Sequence, residues 1–222
     1  ASRKPEAVAL DFRAQLAGNN TAKARVEALL KRYGADVVKG VMRKILNDGE
    51  HAFLEKMKRL PDGIWRDRTF VECSRPGDRR SHRVMLSLEK KGDQLIFRNE
   101  GTADQDGAMN ATFSGWRGSI MVALNQLLCW DQYFAIGGAL RHVTYDATPG
   151  TMNCANFPAS VSTAPVQAME ISLYPTYNVL SKMIFGDEKM RHDIMCIGGT
   201  SQWPATIFRG TDQWGDPYGY IL

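Results

Sequence analysis

Apolar residues recur at intervals of three and four in the first part of the chain, the spacing that lines one face of a helix. Val26, Leu29, Leu30 and Tyr33 form one such stripe, after Gly18-Asn19-Asn20, which is expected to break the chain, with Asn20 as cap and Gly34 as terminator. A second, longer helix opens at Asp36 and carries Val38, Val41, Met42, Ile45, Ala52, Phe53 and Met57. It stops at Leu60-Pro61-Asp62-Gly63, where proline restricts its predecessor and Asp-Gly favours a turn. The period then changes to two. Segments 64–73, 82–88 and 94–97 read as strands, with Lys91-Gly92-Asp93 as a hairpin turn. Val84, Leu86 and Leu88 alternate with Arg83, Met85, Ser87 and Glu89, so one face of the sheet is covered.

Residues 100–115 are rich in Gly, Asp, Asn and Thr and read as a structured loop feeding a central helix over 119–134. Residues 142–145 suggest a short strand. Thr163-Ala164-Pro165 starts another helix through Val166, Met169, Leu173, Tyr177 and Leu180, which Pro175 should kink or divide. Beyond Phe185 the chain turns Gly and Trp rich, and residues 218–222 look like the start of a strand. The fold class is therefore α+β: a helix pair with an antiparallel sheet, then long central helices and loops. It divides as a helical segment 1–62, a strand segment 63–112 and a helical and loop segment 113–222. An apolar end and the missing initiator Met predict a piece of a longer polypeptide.

Composition narrows the classes. With 44% hydrophobic and 23% charged residues over 222 positions the chain can close a core without metals or disulfides. The net charge of +4 is mixed along the sequence, and Trp116, Trp130, Trp203 and Trp214 form no stacking stripe, so nucleic acid is not expected as a partner. Arg75, Arg79, Arg80 and Arg83 are a local basic excess that reads first as a solvated turn and second as an anion or subunit contact. Cys73, Cys129, Cys154 and Cys196 have neither metal-clip nor redox spacing, which suits reduced cysteines in a cytoplasmic protein. No apolar run is long enough to span a membrane.

Candidate chemistry is sparse. His51, His82, His142 and His192 belong to no metal-ligand motif; His192-Asp193 is the nearest approach to a ligand pair and reads more simply as a loop pair. There is no G-x-S-x-G elbow, no phosphate-binding lysine motif and no dinucleotide fingerprint, so NAD is not expected as a cofactor, and biotin is not expected either. Cys129 sits in an apolar helix, and Cys154 in the loop TMNCANF is the more open to suspicion. Loop 101–110 could present amides to a polar ligand, or could be a tight connection that Asn110 closes.

Three ordered phrases resemble the B-type subunits of the hydantoinase/oxoprolinase family, which includes large subunits of acetone and acetophenone carboxylases. They are Ala14-Gln15-Leu16-Ala17-Gly18-Asn19-Asn20 continuing to Arg32-Tyr33-Gly34; Leu60-Pro61-Asp62-Gly63-Ile64-Trp65; and Gly101-Thr102-Ala103-Asp104-Gln105-Asp106-Gly107-Ala108-Met109-Asn110. The resemblance implies a segment of the large subunit of a multisubunit ATP-dependent ketone carboxylase, with an ATP-dependent cyclic amide hydrolase (hydantoinase or 5-oxoprolinase type) or a noncatalytic scaffold as the alternatives. It implies ATP and Mg2+ on a hydantoinase A-type partner subunit, the remainder of a B-type subunit, a small third subunit, and a divalent metal (Mn, Zn or Fe) bound outside this segment. Gly101, Thr102, Gln105, Asn110, Asn153 and Asn156 are then expected to line a substrate cavity or channel.

Overall fold

The computed structural model describes residues 5–72, 75–132, 136–161, 165–193, 207–211, 213–215 and 217–221. Cys73, Thr163, Ala164, Cys196, Gly198, Gly199, Trp203, Pro204 and Leu222, each singled out in the sequence, lie outside the described residues, as does the expected helix end at Phe134. The chain divides into two compact units, Ala1–Asp48 and Gly49–Leu222.

The first unit contains α1 (Pro5–Tyr33) and the beginning of α2 (Ala35–Met57), joined at Gly34, whose φ of 81° lies in the left-handed region that a residue with a Cβ avoids. The expected break at Gly18-Asn19-Asn20 does not occur; α1 runs straight through it. One Gly and two Asn cost about 1–2 kcal/mol of propensity together, and helix already nucleated on both sides in Ala- and Leu-rich sequence outweighs that. No residue of α1 is buried, and Leu10, Phe12, Leu16, Val26, Leu29 and Tyr33 are all exposed.

In the second unit, β1 (Gly63–Glu72), β2 (Ser81–Lys91), β3 (Gln94–Arg98) and β4 (Val143–Asp146) form one sheet in that order. The first three strands pair antiparallel; β4 joins β3 in parallel, after a crossover that contains α3 (Phe113–Leu127). The fold is mixed α+β, as the periodicity implied. α3 begins six residues before its expected start at Ser119, because the Thr112 hydroxyl accepts from the Gly115 amide at 3.3 Å and caps the helix. α4 (Pro165–Ile184) continues through Pro175 as one element and packs on α3, β1 and β2. A separate hairpin, β5 (Ile207–Thr211) with β6 (Pro217–Ile221), contains most of the strand expected at 218–222.

Alternation along β2 decides which face is core. His82, Val84, Leu86, Leu88 and Lys90 are buried, and their neighbours are not. The three apolar members pack with Phe97, Trp116, Ile120, Leu124 and Leu180, or, for Val84, into a smaller cluster with Val71, Met109, Met152 and Ile171. The two polar members stand at opposite ends of the same row, and each has an acidic partner: Lys90 donates to Asp62 at 2.6 Å, and His82 meets Asp78 at 2.6 Å. Leu88→Ala is expected to destabilise the second unit by about 2–5 kcal/mol, while Leu16→Ala on exposed α1 changes stability by no more than about 0.5 kcal/mol. Urea denaturation of the two variants checks the contrast.

Candidate functional site

The site grows from the end of β2. β3 pairs only with Ser87–Lys91, so the corresponding edge of the first half of β2 is open to the chain that follows β3. Loop 101–110 takes that edge. The Ala103 amide donates to the Arg83 carbonyl at 2.8 Å, and the buried Thr102 hydroxyl accepts from the Met85 amide at 2.9 Å and faces the Met85 carbonyl at 3.3 Å. Gly101, at φ 84°, makes the turn into this pairing.

A second loop, 147–160, clamps the first from its other side. Gln105 donates its amide to the Gly150 carbonyl at 2.8 Å, Met152 donates to Ala103 at 3.0 Å, and Ala111 donates to Met152 at 2.7 Å. The Gln105 side-chain oxygen accepts from the Asn156 amide at 2.7 Å. Asn110, 1% exposed, accepts from the Asp106 amide at 3.1 Å and donates to the carbonyls of Gly107 and Ser160 at 3.2 and 3.0 Å. Asn99 is fully buried and donates to Asn153 Oδ1 at 2.8 Å and Thr151 Oγ at 3.0 Å, while accepting from the Thr148 amide at 2.6 Å. Asn99 carried no signal in the sequence beyond its place at the end of an apolar strand.

The clamp delivers Asp106 to the β1–β2 turn. Asp78 Oδ2 lies 2.6 Å from His82 Nε2, and its Oδ1 accepts from Arg80 Nε at 2.8 Å and from the Arg80 amide at 3.1 Å. Asp106 accepts from Arg75 at 2.9 Å and also from Arg80 Nη2. The guanidinium of Arg80 thus bridges both carboxylates. The side chains of Asp78 and His82 are nearly buried, that of Asp106 is 20% exposed, and those of Arg75 and Arg80 are 57% and 58% exposed. Burial pushes the Asp106 carboxyl up, but the bond from Arg80 and the charges of Arg75 and Arg80 hold it below the usual carboxylate value.

One donor atom from each of Asp78, His82 and Asp106 lies within 4.8 Å of the other two. This corrects the expectation that metal donors lie outside the segment: a candidate triad stands inside it. The sequence hides the triad because Asp106 is 28 positions from Asp78 and reaches it only through the clamp. Period two could have found His82, since counting back from Val84 puts its imidazole on the covered face. A cavity of about 370 Å3 opens beside the triad, lined by Arg75, Arg80, His82, Asp104, Gln105 and Asp106 among others. A second, of about 480 Å3, is lined by Phe70, Ser81, Arg83, Gly101 and Thr102.

The remaining sequence candidates fall as follows. Gly101 and Thr102 line the second cavity and Gln105 the first, whereas Asn110, Asn153 and Asn156 line neither: Asn110 and Asn156 join the two loops, and Asn153 ties the second loop to Asn99 and to Ser172 of α4. His192 is exposed in a short 3-10 turn, and the Asp193 side chain lies outside the described residues. Burial pushes the Cys129 thiol up to about 12 and raises Cys154 as well, so neither supplies a thiolate at neutral pH.

The model of the hydantoinase B/oxoprolinase family matches residues 1–221. The chain belongs to that family. It is 32% identical over 225 aligned positions to the acetophenone carboxylase delta subunit of Aromatoleum aromaticum, covering 99% of this chain and 32% of that protein. It is 25% identical over 167 positions to a protein of a Pseudomonas species named as the B component of a D-/L-hydantoinase, covering 71% and 28%. This family member therefore spans about a third of the length of the curated relatives it matches. Among solved structures it is similar to a nucleotide-free acetone carboxylase, with TM-score 0.78, 14% identity and coverage of 96% and 29%. It is also similar to the ATP-dependent caprolactamase of Pseudomonas jessenii, with TM-score 0.68, 19% identity and coverage of 82% and 31%. These two likenesses establish a shared fold.

Two outcomes are expected from the clamp and the ion network. Asn110→Ala strands the Asp106 amide and the Ser160 carbonyl and should cost about 1–3 kcal/mol in thermal or urea unfolding. The Asp106 carboxyl is depressed on folding, so its stabilisation is complete above its ordinary value of 3.8 and is lost as pH falls through the lower folded value. Asp106→Asn should remove that part of the acid dependence, measured as unfolding midpoint between pH 2 and 6.

Proposed function

We propose that this chain is a segment of the large, B-type subunit of a multisubunit ATP-dependent ketone carboxylase of the acetone and acetophenone type. The observation that carries the reading is the 32% identity that extends over 99% of the chain to an acetophenone carboxylase subunit. The fold likeness to acetone carboxylase over 96% of the chain supports it.

The chemistry explains why such a machine needs ATP. Bicarbonate is a poor electrophile because hydroxide would have to leave its carbon. Phosphoryl transfer from ATP, on an A-type partner subunit, gives carboxyphosphate from a bicarbonate oxygen and an enol phosphate from the oxygen of the enolised ketone. Transfer of the enol phosphate's phosphoryl group to water frees the enolate, which forms a carbon–carbon bond to the carboxyl carbon of carboxyphosphate as phosphate departs with the C–O bond electrons. Apart from the neutral ketone, the species on this route are anionic, so a passage between subunits must offer fixed hydrogen-bond donors instead of bulk water. In this reading the paired loops 101–110 and 147–160 shape part of that passage. Gly101, Thr102 and Gln105 stand at its cavities, Asn110 and Asn156 hold the two loops together, and Asn153 anchors the second to Asn99 and α4.

Hydrolysis of a cyclic amide is the second reading, favoured by the 25% identity to the hydantoinase component. Both activities start from ATP, and the fate of labelled bicarbonate separates them. The complete complex purified with its natural partner subunits is expected to fix 14C-bicarbonate into acid-stable product only with a ketone and ATP present. ATP-dependent opening of a hydantoin or lactam without any fixation of label would overturn the carboxylase reading in favour of the hydrolase. ATP turnover with neither product would overturn both.

A further inference from the structure

We propose that Asp78, His82 and Asp106 hold a divalent transition-metal cation, and that Arg80 is its built-in competitor, closing the carboxylates when the cation is absent. The donor set suits the ion. One imidazole nitrogen with two carboxylate oxygens is a mixed N/O set of the kind that Mn2+, Fe2+ and Zn2+ accept. The spacing is also near what coordination requires. Adjacent ligands at right angles on a metal with bonds of about 2.1 Å stand about 3 Å apart, and opposite ones about 4.2 Å. Asp78 Oδ2 and His82 Nε2 are 2.6 Å apart, and the whole set fits within 4.8 Å. A small side-chain rotation of Asp106, the most exposed of the three, brings its oxygen in, and the Asp78 and His82 side chains part by a few tenths of an ångström as the metal replaces the bond between them.

Arg80 bridges the two carboxylates, so a positive charge already stands where a cation would neutralise them. Its side chain is 58% exposed while its partner Asp78 is 3% exposed, so the guanidinium has room to swing into water once a bound cation takes over the charge of the buried carboxylate. The imidazole and the Asp78 carboxylate are held the opposite way, with 7% and 3% of their side chains exposed on the buried row of β2 and the turn before it. A preformed buried pair, one movable carboxylate and a movable cationic side chain are the parts of an exchangeable site. The cavity of about 370 Å3 beside it gives the metal an open side toward Gln105 and Asp104. This inference does not rest on the carboxylase reading and concerns the 222-residue chain directly.

The test is Mn2+ uptake by the purified chain, followed by loss of the free-ion electron paramagnetic resonance signal, with Zn2+ as competitor. One Mn2+ per chain is expected, displaced by Zn2+. Asp106→Asn should weaken uptake roughly tenfold or more, since it removes one ligand charge. Arg80→Ala should strengthen it several-fold by removing the one guanidinium that bridges both carboxylates, while Arg75 stays on Asp106 and His82 on Asp78, the opposite of what a purely structural ion-pair network would give. His82→Ala removes a buried group, so Asp106→Asn serves as the variant that keeps the fold, checked by circular dichroism. No uptake at millimolar Mn2+ by the folded wild-type chain and by Arg80→Ala would overturn the proposal. So would uptake that Asp106→Asn leaves unchanged, which would mark an adventitious ion only, or uptake that Arg80→Ala lowers.

Discussion

The structure of the second unit depends on the buried row of β2. Every second side chain from His82 to Lys90 faces inward, and a one-residue slip would expose all of them and bury Arg83, Met85, Ser87 and Glu89 instead. The three central residues are apolar, so the register is fixed by burial. The price is that both polar ends must be satisfied within the fold, and each is given an aspartate: Asp62 for Lys90, Asp78 for His82. The first of these anchors the turn between α2 and β1, and the second creates the centre of the candidate site.

A second consequence follows from unequal strand lengths. β2 outlasts β3, so its first half has an edge that only a returning loop can cover. Glycine at φ 84° and a threonine that imitates a strand partner bring loop 101–110 onto that edge. The 147–160 loop then locks it: Asn110 accepts from Asp106 and donates to Ser160, Gln105 accepts from the Asn156 amide, and Asn99, just before the loop, donates to Asn153 and accepts from Thr148. Asparagine and glutamine are suited to joining two stretches of irregular backbone because neither strand nor helix satisfies those polar groups. The polar loops that drew attention in the sequence thus hold one another in place and aim Asp106 at the turn, while the small apolar cluster of Val71, Val84, Met109, Met152 and Ile171 supports them from below.

The first unit shows a different physics. α1 buries nothing, yet carries Leu10, Phe12, Leu16, Val26, Leu29 and Tyr33 along its length. Helical periodicity was visible in the sequence from Val26 onward, but its extent was not. Gly18-Asn19-Asn20 is a turn by local preference and a helix in context, because propagation from both flanks outweighs a local penalty of one or two kilocalories.

The class of the fold and most of its elements were legible from residue order alone, because periods of 3.6 and 2 are local properties that burial enforces residue by residue. Strands 64–73, 82–88 and 94–97 were legible to within one to three residues, and three ordered phrases were enough to point to the family. The start of α3, a local cap by the Thr112 hydroxyl, was present in the sequence but went unread, whereas the parallel pairing of β4 and the meeting of Asp78, His82 and Asp106 arise only from the packed fold. That last convergence needs a hairpin turn, an uncovered strand edge and a clamp from a loop some 50 residues on. None of these leaves a periodic trace, since a contact between distant irregular segments depends on where the chain returns and not on what its neighbours in sequence are.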